Sequence, residues 1–360
     1  MKDLAVSTRE ARLCEESANR RGLVPIFRGV YASSRALGEG GPPWVARQRV
    51  AEARLLAIHA KTHGGIELAF TGESALVARG IEPWWNNPDV FVRRNPRSGS
   101  VRVVPRVALE NTTVSEVRVR QTSMLPRTLE DSTRTAQGLP VAPDYMVALD
   151  LARVFHPLQA FHDLSQLMRW RVQFDRRSLA PSRKRESDYK AKLTNQLEAL
   201  ALDGQRAPAG LRQAMALVSC ADSGIESPAE SIVLWALHSI LRPGEIIETQ
   251  TPVTAHGRSR NLDITLPKYR VAIETTGLGK YGDTSTSAHA VATAAVIRQQ
   301  ELEDVDWRFI NVAYEQTLNL ARLAAYLVER LSRFNVPTRP PGGACFKRPT
   351  RELFARERRY

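Results

Sequence analysis

The sequence predicts α+β and α/β structure, built from several domains that mix helices and strands. Its 360 residues are enough for two or three domains, each with its own buried core. Hydrophobic residues make up 43% and charged residues 25%, as in an ordinary globular protein. Segments with apolar residues at every second position alternate with segments of helical periodicity, and no internal repeat is evident.

Residues 1–40 are predicted to form a small helix-and-hairpin unit. Ser7 and Glu10 have the spacing of a capping box, so a helix is expected from there to about residue 19. Two short β runs follow, Leu23–Phe27 and Val30–Ser33. A helix followed by such a ribbon is the reduced pattern of a winged-helix DNA-binding unit. The residues expected to contact DNA are Arg20, Arg21 and Arg28.

Residues 41–180 are predicted to form a mixed region that begins after the Gly/Pro-rich break GEGGPPW. Helices are expected at 45–63, 73–79, 144–155 and 158–174, and strands near 90–92, 101–104 and 114–119. The basic strand faces either hold phosphate or are ordinary solvated faces. Their arginines are Arg93, Arg94, Arg102, Arg106, Arg118 and Arg120.

Three segments complete the chain. Residues 181–222 are predicted to be a helical linker in which the basic run Arg183-Lys184-Arg185 lies in an exposed loop before a helix near 189–202. Residues 223–334 have the pattern helix, three strands, helix, strand, helix and are predicted to be a separate α/β domain. Residues 335–360 are rich in Pro, Gly and basic residues and are predicted to be either a disordered tail or a nucleic-acid-binding extension.

The charge balance indicates a polyanionic partner. Lys and Arg number 51 against 38 Asp and Glu, which gives a net charge of +13 and favours nucleic acid over a membrane as the partner. The alternative is that the charge only reflects a generally basic proteome and indicates no partner. No stretch of 18 apolar residues and no signal peptide is found. Cys14, Cys220 and Cys345 form no CxxC pair, so neither a disulfide framework nor a zinc site is expected. We therefore expect a cytoplasmic protein without a membrane partner.

Three acidic residues of the 223–334 segment are the candidate site. If Lys268 and Tyr269 form the tip of a hairpin in NLDITLPKYRVAIETTG, Asp263 lies directly across from Glu274. Like charges that face each other cost stability unless a divalent cation binds between them, and carboxylate oxygens suit Mg²⁺ or Mn²⁺. Glu230 begins the preceding helix, and a metal-bound water there would attack a phosphodiester.

Each acidic residue also has a purely structural interpretation. Ser227 and Glu230 have capping-box spacing around a Pro at the first helical position, which alone accounts for Glu230 and is compatible with a catalytic role. Asp263 and Glu274 are otherwise ordinary exposed strand residues, and a register shift of one residue would separate them.

Several of these segments carry a resemblance to known families. ESPAES, LDITLPKYRVAIETTG and IRQQELEDVDWRFINVAYEQT resemble the PD-(D/E)XK nuclease-like domain related to very-short-patch repair endonucleases. RRGLVPIFRGVYA, HGGIELAFTGESALVARGI and LPVAPDYMVALDLAR resemble the AbiEi-like antitoxin region, which has a winged helix. The resemblance implies a restriction-endonuclease-like domain, with a mixed sheet flanked by helices, behind an antitoxin-like α+β region.

The resemblance also implies roles for single residues. Asp263 and Glu274 would bind the metal with the carbonyl of Thr275, Glu230 would orient a ligand or water, and Arg298 would hold a phosphate. Three features depart from the pattern. Thr276 occupies the position usual for an acid, Gln or Lys, Ala295 occupies that of an aspartate, and the histidine usual shortly after Gly277 is not in place. Lys280, in the loop beyond, is the candidate replacement for the missing cation.

Two functions are therefore expected as alternatives. The first is a DNA endonuclease that depends on Mg²⁺ or Mn²⁺. The second is a catalytically decayed nuclease fold that serves as an antitoxin-type DNA-binding regulator, with a cognate toxin protein as partner. A protein-interaction module that uses the basic tail has only the composition of the tail in its favour.

Overall fold

A computed structural model of the chain describes residues 22–62, 67–95, 102–123, 131–202, 207–276, 297, 299–343 and 346. Their internal contacts divide the chain into two units, which meet in sequence between Val154 and Phe155. The predicted α/β domain, residues 223–334, lies within the second unit. Both units mix helices and strands, so the coarse fold class is as predicted. Within the described residues, no helix combines the length and the apolarity needed to cross a membrane.

The first unit contains ten strands and three helices within its described residues. The strands are β1 (Leu23–Phe27), β2 (Val30–Ser33), β3 (Glu67–Phe70), β4 (Val90–Asn95), β5 (Arg102–Val104), β6 (Val107–Ala108), β7 (Thr113–Val114), β8 (Val117–Ser123), β9 (Thr133–Arg134) and β10 (Pro140–Val141). The helices are α1 (Pro43–Ala60), α2 (Gly72–Ala78) and α3 (Asp144–Val154).

The β1–β2 hairpin is confirmed as predicted, with antiparallel pairing and a turn at Arg28 and Gly29. Gly29 has a φ of 65°, a conformation that glycine adopts without steric cost. A six-stranded mixed sheet has the order β5-β8-β4-β3-β10-β9. The helix predicted before the hairpin, together with Arg20 and Arg21, lies outside the described residues.

The strand arginines of this unit have different environments. Arg93 is 1% exposed and forms a two-pronged ion pair with Asp150 of α3, at 2.8 Å from Nε and 2.6 Å from Nη2. Thr71 donates to the same carboxylate at 2.7 Å. Arg93 therefore stabilises the core and does not contribute to a surface for phosphate. Arg120 is exposed and pairs with Asp89 at 3.0 Å.

The second unit contains a four-stranded sheet and several helices within its described residues. The helices are α4 (Pro157–Val172), α5 (Leu179–Leu202), α6 (Leu211–Cys220), α7 (Pro228–Ile240), α8 (Tyr314–Thr317) and α9 (Leu320–Ser332), and a further helical segment ends at residue 303. The strands are β11 (Glu248–Ala255), β12 (Arg258–Leu266), β13 (Val271–Thr276) and β14 (Arg308–Ala313).

The sheet of the second unit has the order β11-β12-β13-β14. β11, β12 and β13 pair antiparallel in succession, and β14 pairs parallel to β13. The β11–β12 turn has His256 and Gly257 with φ of 49° and 73°, as a type I′ turn requires. Strands β12 and β13 bury Leu262, Ile264 and Ile273 completely. This burial fixes their register, because a shift of one residue would expose these side chains.

The prediction of an exposed loop at Arg183-Lys184-Arg185 was wrong. All three residues lie inside α5, which begins ten residues before the predicted start. Arg183 binds Asp222 and Glu186, and Arg185 donates to the carbonyl of Val172 at 2.7 Å. Lys184 and Arg185 are exposed as predicted, but they lie on a helix. Local composition does not show the acidic and carbonyl partners that come from other parts of the chain.

The prediction of disorder was also wrong for the part of the 335–360 tail that is described. The amide of Arg339 donates to the carbonyl of Ile240 at 2.7 Å, at the end of α7. Phe346 stacks on Trp235 of the same helix, with ring centroids 5.5 Å apart. This part of the tail therefore packs on α7 and belongs to the second unit.

Candidate functional site

The β12–β13 hairpin brings the two predicted strand carboxylates together. Ile264 pairs with Ile273, so the next position along the ladder places Asp263 across from Glu274. The backbone N–H of Asp263 donates to Oε1 of Glu274 at 3.4 Å. A single 3₁₀ turn at Pro267–Tyr269 closes the hairpin and sets this register. The predicted apposition is therefore confirmed, and both side chains are half-exposed.

Glu230 lies in the first turn of α7, where it completes the cap of the helix. Ser227 is the N-cap residue, and its hydroxyl accepts from the backbone N–H of Glu230 at 3.2 Å. The same hydroxyl donates to Oε1 of Glu230 at 2.8 Å. Oε2 accepts from the backbone N–H of Glu226 at 2.9 Å, one residue earlier than a standard capping box would use. Both carboxylate oxygens of Glu230 are thus held by the cap.

Glu230 is also electrostatically close to the hairpin. It is 8% exposed, and burial raises its pKa because the charged form loses hydration. The charge of Asp263 raises it further, and although the bonds from Glu226 and Ser227 oppose both effects, the pKa reaches about 7. The pKa of Glu230 on α7 is therefore affected by the charge of Asp263 on the hairpin.

The remaining predicted site residues are placed only in part. Thr275 is buried and pairs with Val312 of β14. Arg28 is exposed in the β1–β2 turn of the first unit. The other predicted site residues lie outside the described part of the chain: Arg20, Arg21, Lys280 and Arg298. So do Ala295 and the side chain of Thr276, two positions that depart from the nuclease pattern.

The donor chemistry of the carboxylate pair fits a hard divalent cation. Asp263 and Glu274 supply carboxylate oxygens side by side, and Mg²⁺ is commonly bound by one or two carboxylates while it retains water ligands. Among the residues that the structure describes, however, no group of three or more His, Cys, Asp or Glu is arranged to hold a metal ion. Glu230 is near enough to repel Asp263, but its oxygens are held by the helix cap. Among the described residues, Asp263 and Glu274 alone would supply side-chain ligands to such a cation.

A row of polar residues across the sheet was not predicted. Glu274 pairs with Asn311 of β14, whose amide donates to the side-chain oxygen of Gln299 at 3.1 Å. On the other side, the β11–β12 register places Gln250 across from Asp263, and Gln250 is 2% exposed with a φ of 54°. The polar position in the otherwise apolar alternation RFINVA is the signal that would have identified Asn311.

A partly buried ion-pair cluster lies between α5, the segment before α7 and β11. Arg183 of α5 donates to Asp222 at 2.9 Å and to the carbonyl and hydroxyl oxygens of Thr249 at 2.7 and 2.6 Å. Burial opposes ionisation of Asp222, but the charge of Arg183 and hydrogen bonds from Thr249 and Arg183 outweigh it and lower the pKa of that carboxyl. The cluster thus joins α5 to the segment before α7 and to the start of β11.

Gly224 allows this cluster to close. A Cβ at this position would lie 2.0 Å from the hydroxyl oxygen of Thr249 and 2.9 Å from a guanidinium nitrogen of Arg183. Any other residue would therefore displace the cluster. Gly224 also donates its N–H to Asp222 at 2.7 Å, so its backbone is part of the network.

No protein-family model, curated protein or solved structure matches this chain. The chemical interpretation of the site therefore depends on its own residues and their geometry.

Proposed function

We propose that the protein acts on DNA and that its second unit carries a restriction-endonuclease-like site for metal-dependent hydrolysis of phosphodiester bonds. One observation carries the proposal: Asp263 and Glu274 face each other across the β12–β13 hairpin, and Glu230 lies close enough for Asp263 to raise its pKa. Crowded carboxylates repel one another unless a cation or a proton compensates their charge. A divalent cation would compensate the charge of the carboxylates and would also allow the site to hydrolyse a phosphodiester bond.

The order of elements supports the same proposal. Helix α7 carries Glu230, β12 carries Asp263 and β13 carries Glu274; a helical segment and β14 follow. This is the order expected from the resemblance to PD-(D/E)XK nucleases. The parallel pairing of β13 with β14 places the carboxyl ends of both strands at one edge of the sheet, next to Glu274.

The chain's own residues have distinct parts in the proposed chemistry. Asp263 and Glu274 would hold the cation, together with the carbonyl of Thr275. A bound Mg²⁺ or Mn²⁺ would lower the pKa of a coordinated water and stabilise charge on the phosphate. Glu230, with a pKa of about 7, holds or releases a proton at its carboxyl near neutral pH and orients a water molecule. Lys280 and Arg298 remain candidates for contacts with the phosphate.

The proposed DNA contacts extend to the first unit. Arg28 is exposed at the tip of the β1–β2 hairpin, the position that the winged-helix resemblance assigns to DNA. The net charge of +13 supports a polyanionic partner, because cationic side chains gain free energy from the release of counterions. Arg20 and Arg21, which precede the hairpin in the sequence, are proposed to act with Arg28.

Cleavage of a supercoiled plasmid in Mg²⁺ or Mn²⁺ tests the proposal. Wild-type protein is expected to nick the plasmid, and Asp263→Asn is expected to reduce the rate at least about 100-fold because it removes a metal ligand. Asp306→Asn is the matched control, since Asp306 is an 86% exposed acidic residue of the same unit. Calorimetric titration of Mn²⁺ should show binding to wild type and to the control and a large loss with Asp263→Asn. Undiminished cleavage by Asp263→Asn would refute the assignment.

A second function is favoured by two specific observations. Thr276 replaces the usual acid, Gln or Lys, and the described residues contain no metal-binding group with three His, Cys, Asp or Glu ligands. The alternative is a DNA-binding, antitoxin-type regulator with a toxin protein as partner. It predicts binding to its own promoter in EDTA, with an affinity that falls steeply with salt and falls further on Arg28→Ala. Metal-stimulated cleavage that depends on Asp263 would contradict this alternative.

A further inference from the structure

An exposed basic and aromatic surface lies where α4 meets α5. Residues 169–185 contain seven Lys or Arg residues and one acidic residue, Asp175. Four of the seven form ion pairs with acids outside this segment, and they are Arg169, Arg176, Arg183 and Lys184. Trp170, in the last turn of α4, is 37% exposed, which is unusual for so large an aromatic side chain. Arg171, Arg176 and Arg177 are exposed beside it in the sequence. We call residues 169–185 the α4–α5 surface.

Trp170 and Arg171 form the aromatic part of this surface. The guanidinium carbon of Arg171 lies 5.2 Å from the centroid of the Trp170 ring, within the range of a cation–π contact. Basic residues at the end of a helix are stabilised by the helix dipole, which accounts for Arg169 and Arg171. That effect does not account for an exposed indole. An exposed aromatic ring beside a guanidinium group is a combination on which proteins stack an unpaired base and bind the adjoining phosphates.

The α4–α5 surface adjoins the candidate site through Glu226. Arg169 and Arg176 bind the two oxygens of the Glu226 carboxylate at 3.0 and 3.5 Å. The backbone N–H of Glu226 in turn donates to Glu230 at 2.9 Å. Arg169 is held further by the carbonyl of Ser223 at 3.1 Å, so it is fixed in place beside the acidic residues. A strand on the basic surface would thus run toward the carboxylates, whose own charge would repel it without a cation.

We propose that the α4–α5 surface binds single-stranded DNA, with one base stacked on Trp170 and the neighbouring phosphates on Arg171 and Arg177. This inference rests on the proposed action on DNA and narrows the substrate to DNA with an unpaired stretch next to the Asp263–Glu274 site. The exposed Arg171 and Arg177 and the exposed indole ring select this partner, because a fully paired duplex hides its base faces.

Fluorescence anisotropy with a labelled oligonucleotide of about 15 nucleotides tests the inference, with the full chain in EDTA. Wild type is expected to bind the single strand more tightly than a blunt duplex of the same sequence. Trp170→Ala is expected to weaken single-strand binding about 5- to 150-fold, the loss that one stacked base gives, and Trp170→Tyr to retain most of the affinity. Arg171→Gln is expected to lower the slope of log affinity against log salt by about 0.7.

Trp44→Ala is the matched control, because Trp44 is 41% exposed in the first unit. Circular dichroism spectra show whether each variant is folded. The inference would be overturned if the folded Trp170→Ala variant bound the single strand as tightly as wild type does. It would also be overturned if the Trp44→Ala and Trp170→Ala variants lost equal affinity for the single strand. The assay contains no divalent cation, so its result is separate from plasmid cleavage: loss of cleavage with Asp263→Asn tests the proposed function, and loss of binding with Trp170→Ala tests this surface.

Discussion

Replacement of Glu230 by Gln is expected to stabilise the protein at high pH. The pKa of Glu230 is raised from 4.5 to about 7 in the fold, so the native state binds its proton more tightly than the unfolded state does. The free energy of unfolding therefore falls as the pH rises between these two values, and the cost is fully present above about pH 7. A neutral Gln does not carry this cost.

The magnitude follows from the pKa difference and from the cap. The shift corresponds to about 3 kcal/mol of lost stability above pH 7. The Gln variant avoids this loss, but its amide has only one acceptor oxygen. It therefore keeps only one of the hydrogen bonds that Ser227 and Glu226 donate to Glu230, at a cost of about 1 kcal/mol. Glu230→Gln should therefore be more stable than wild type by about 2 kcal/mol at pH 8.5. At pH 5 the free energies of unfolding of the two proteins should agree within about 0.5 kcal/mol.

Urea denaturation of wild type and variant in EDTA, at several values between pH 5 and pH 8.5, measures this difference. Comparison at each pH cancels the titration of groups that the two proteins share. Glu303→Gln, at an exposed helical position of the same unit, is the control and should show no gain at high pH. A stability difference that does not change with pH would refute the reasoning, because it would mean that Glu230 is not destabilised by its charge.

Three further changes test other parts of the structure through the urea-denaturation midpoint. Gly224→Ala should cost about 1–3 kcal/mol, because its methyl group would lie 2.0 Å from a hydroxyl oxygen in a partly buried ion-pair cluster, and a neutral result would mean that the cluster is adaptable. Ser227→Ala should cost about 1 kcal/mol through loss of the N-cap of α7, and Ser227→Thr should restore most of it. Asp150→Asn should cost about 3–5 kcal/mol because it leaves the Arg93 guanidinium buried without its ionic partner, and a cost below 1 kcal/mol would show that the pair is not needed in the core.

The local features of the fold were the most predictable. The strands β1 and β2 and the register that brings Asp263 to Glu274 follow from alternation around a short turn, because the side-chain period and the turn length leave one register that buries Leu262 and Ile264. The start of α7 was predictable for a similar reason, since its cap uses side chains three residues apart.

Long-range partners were the part that the sequence could not provide. The burial of Arg93 and the place of Arg183 in a cluster depend on Asp150 and Asp222, which lie 57 and 39 residues away in the chain. Charge runs look the same whether they face solvent or a distant carboxylate. Glu230 shows the same difference between local and long-range features. Its role in the helix cap follows from a local sequence pattern, whereas the effect of Asp263 on its pKa arises from the packing of α7 against the rest of the unit.

The mixed pairing of the second sheet has a consequence for the order in which the chain folds. The antiparallel strands β11, β12 and β13 follow one another with short turns, whereas the parallel partner β14 is reached only after the chain crosses from residue 276 to residue 308. Because closure of a long connection is slower than formation of a hairpin, we expect the three-stranded meander to form first. Asp263 and Glu274 would then meet early, and mutations that slow the arrival of β14 would leave this pair assembled in a partly folded chain.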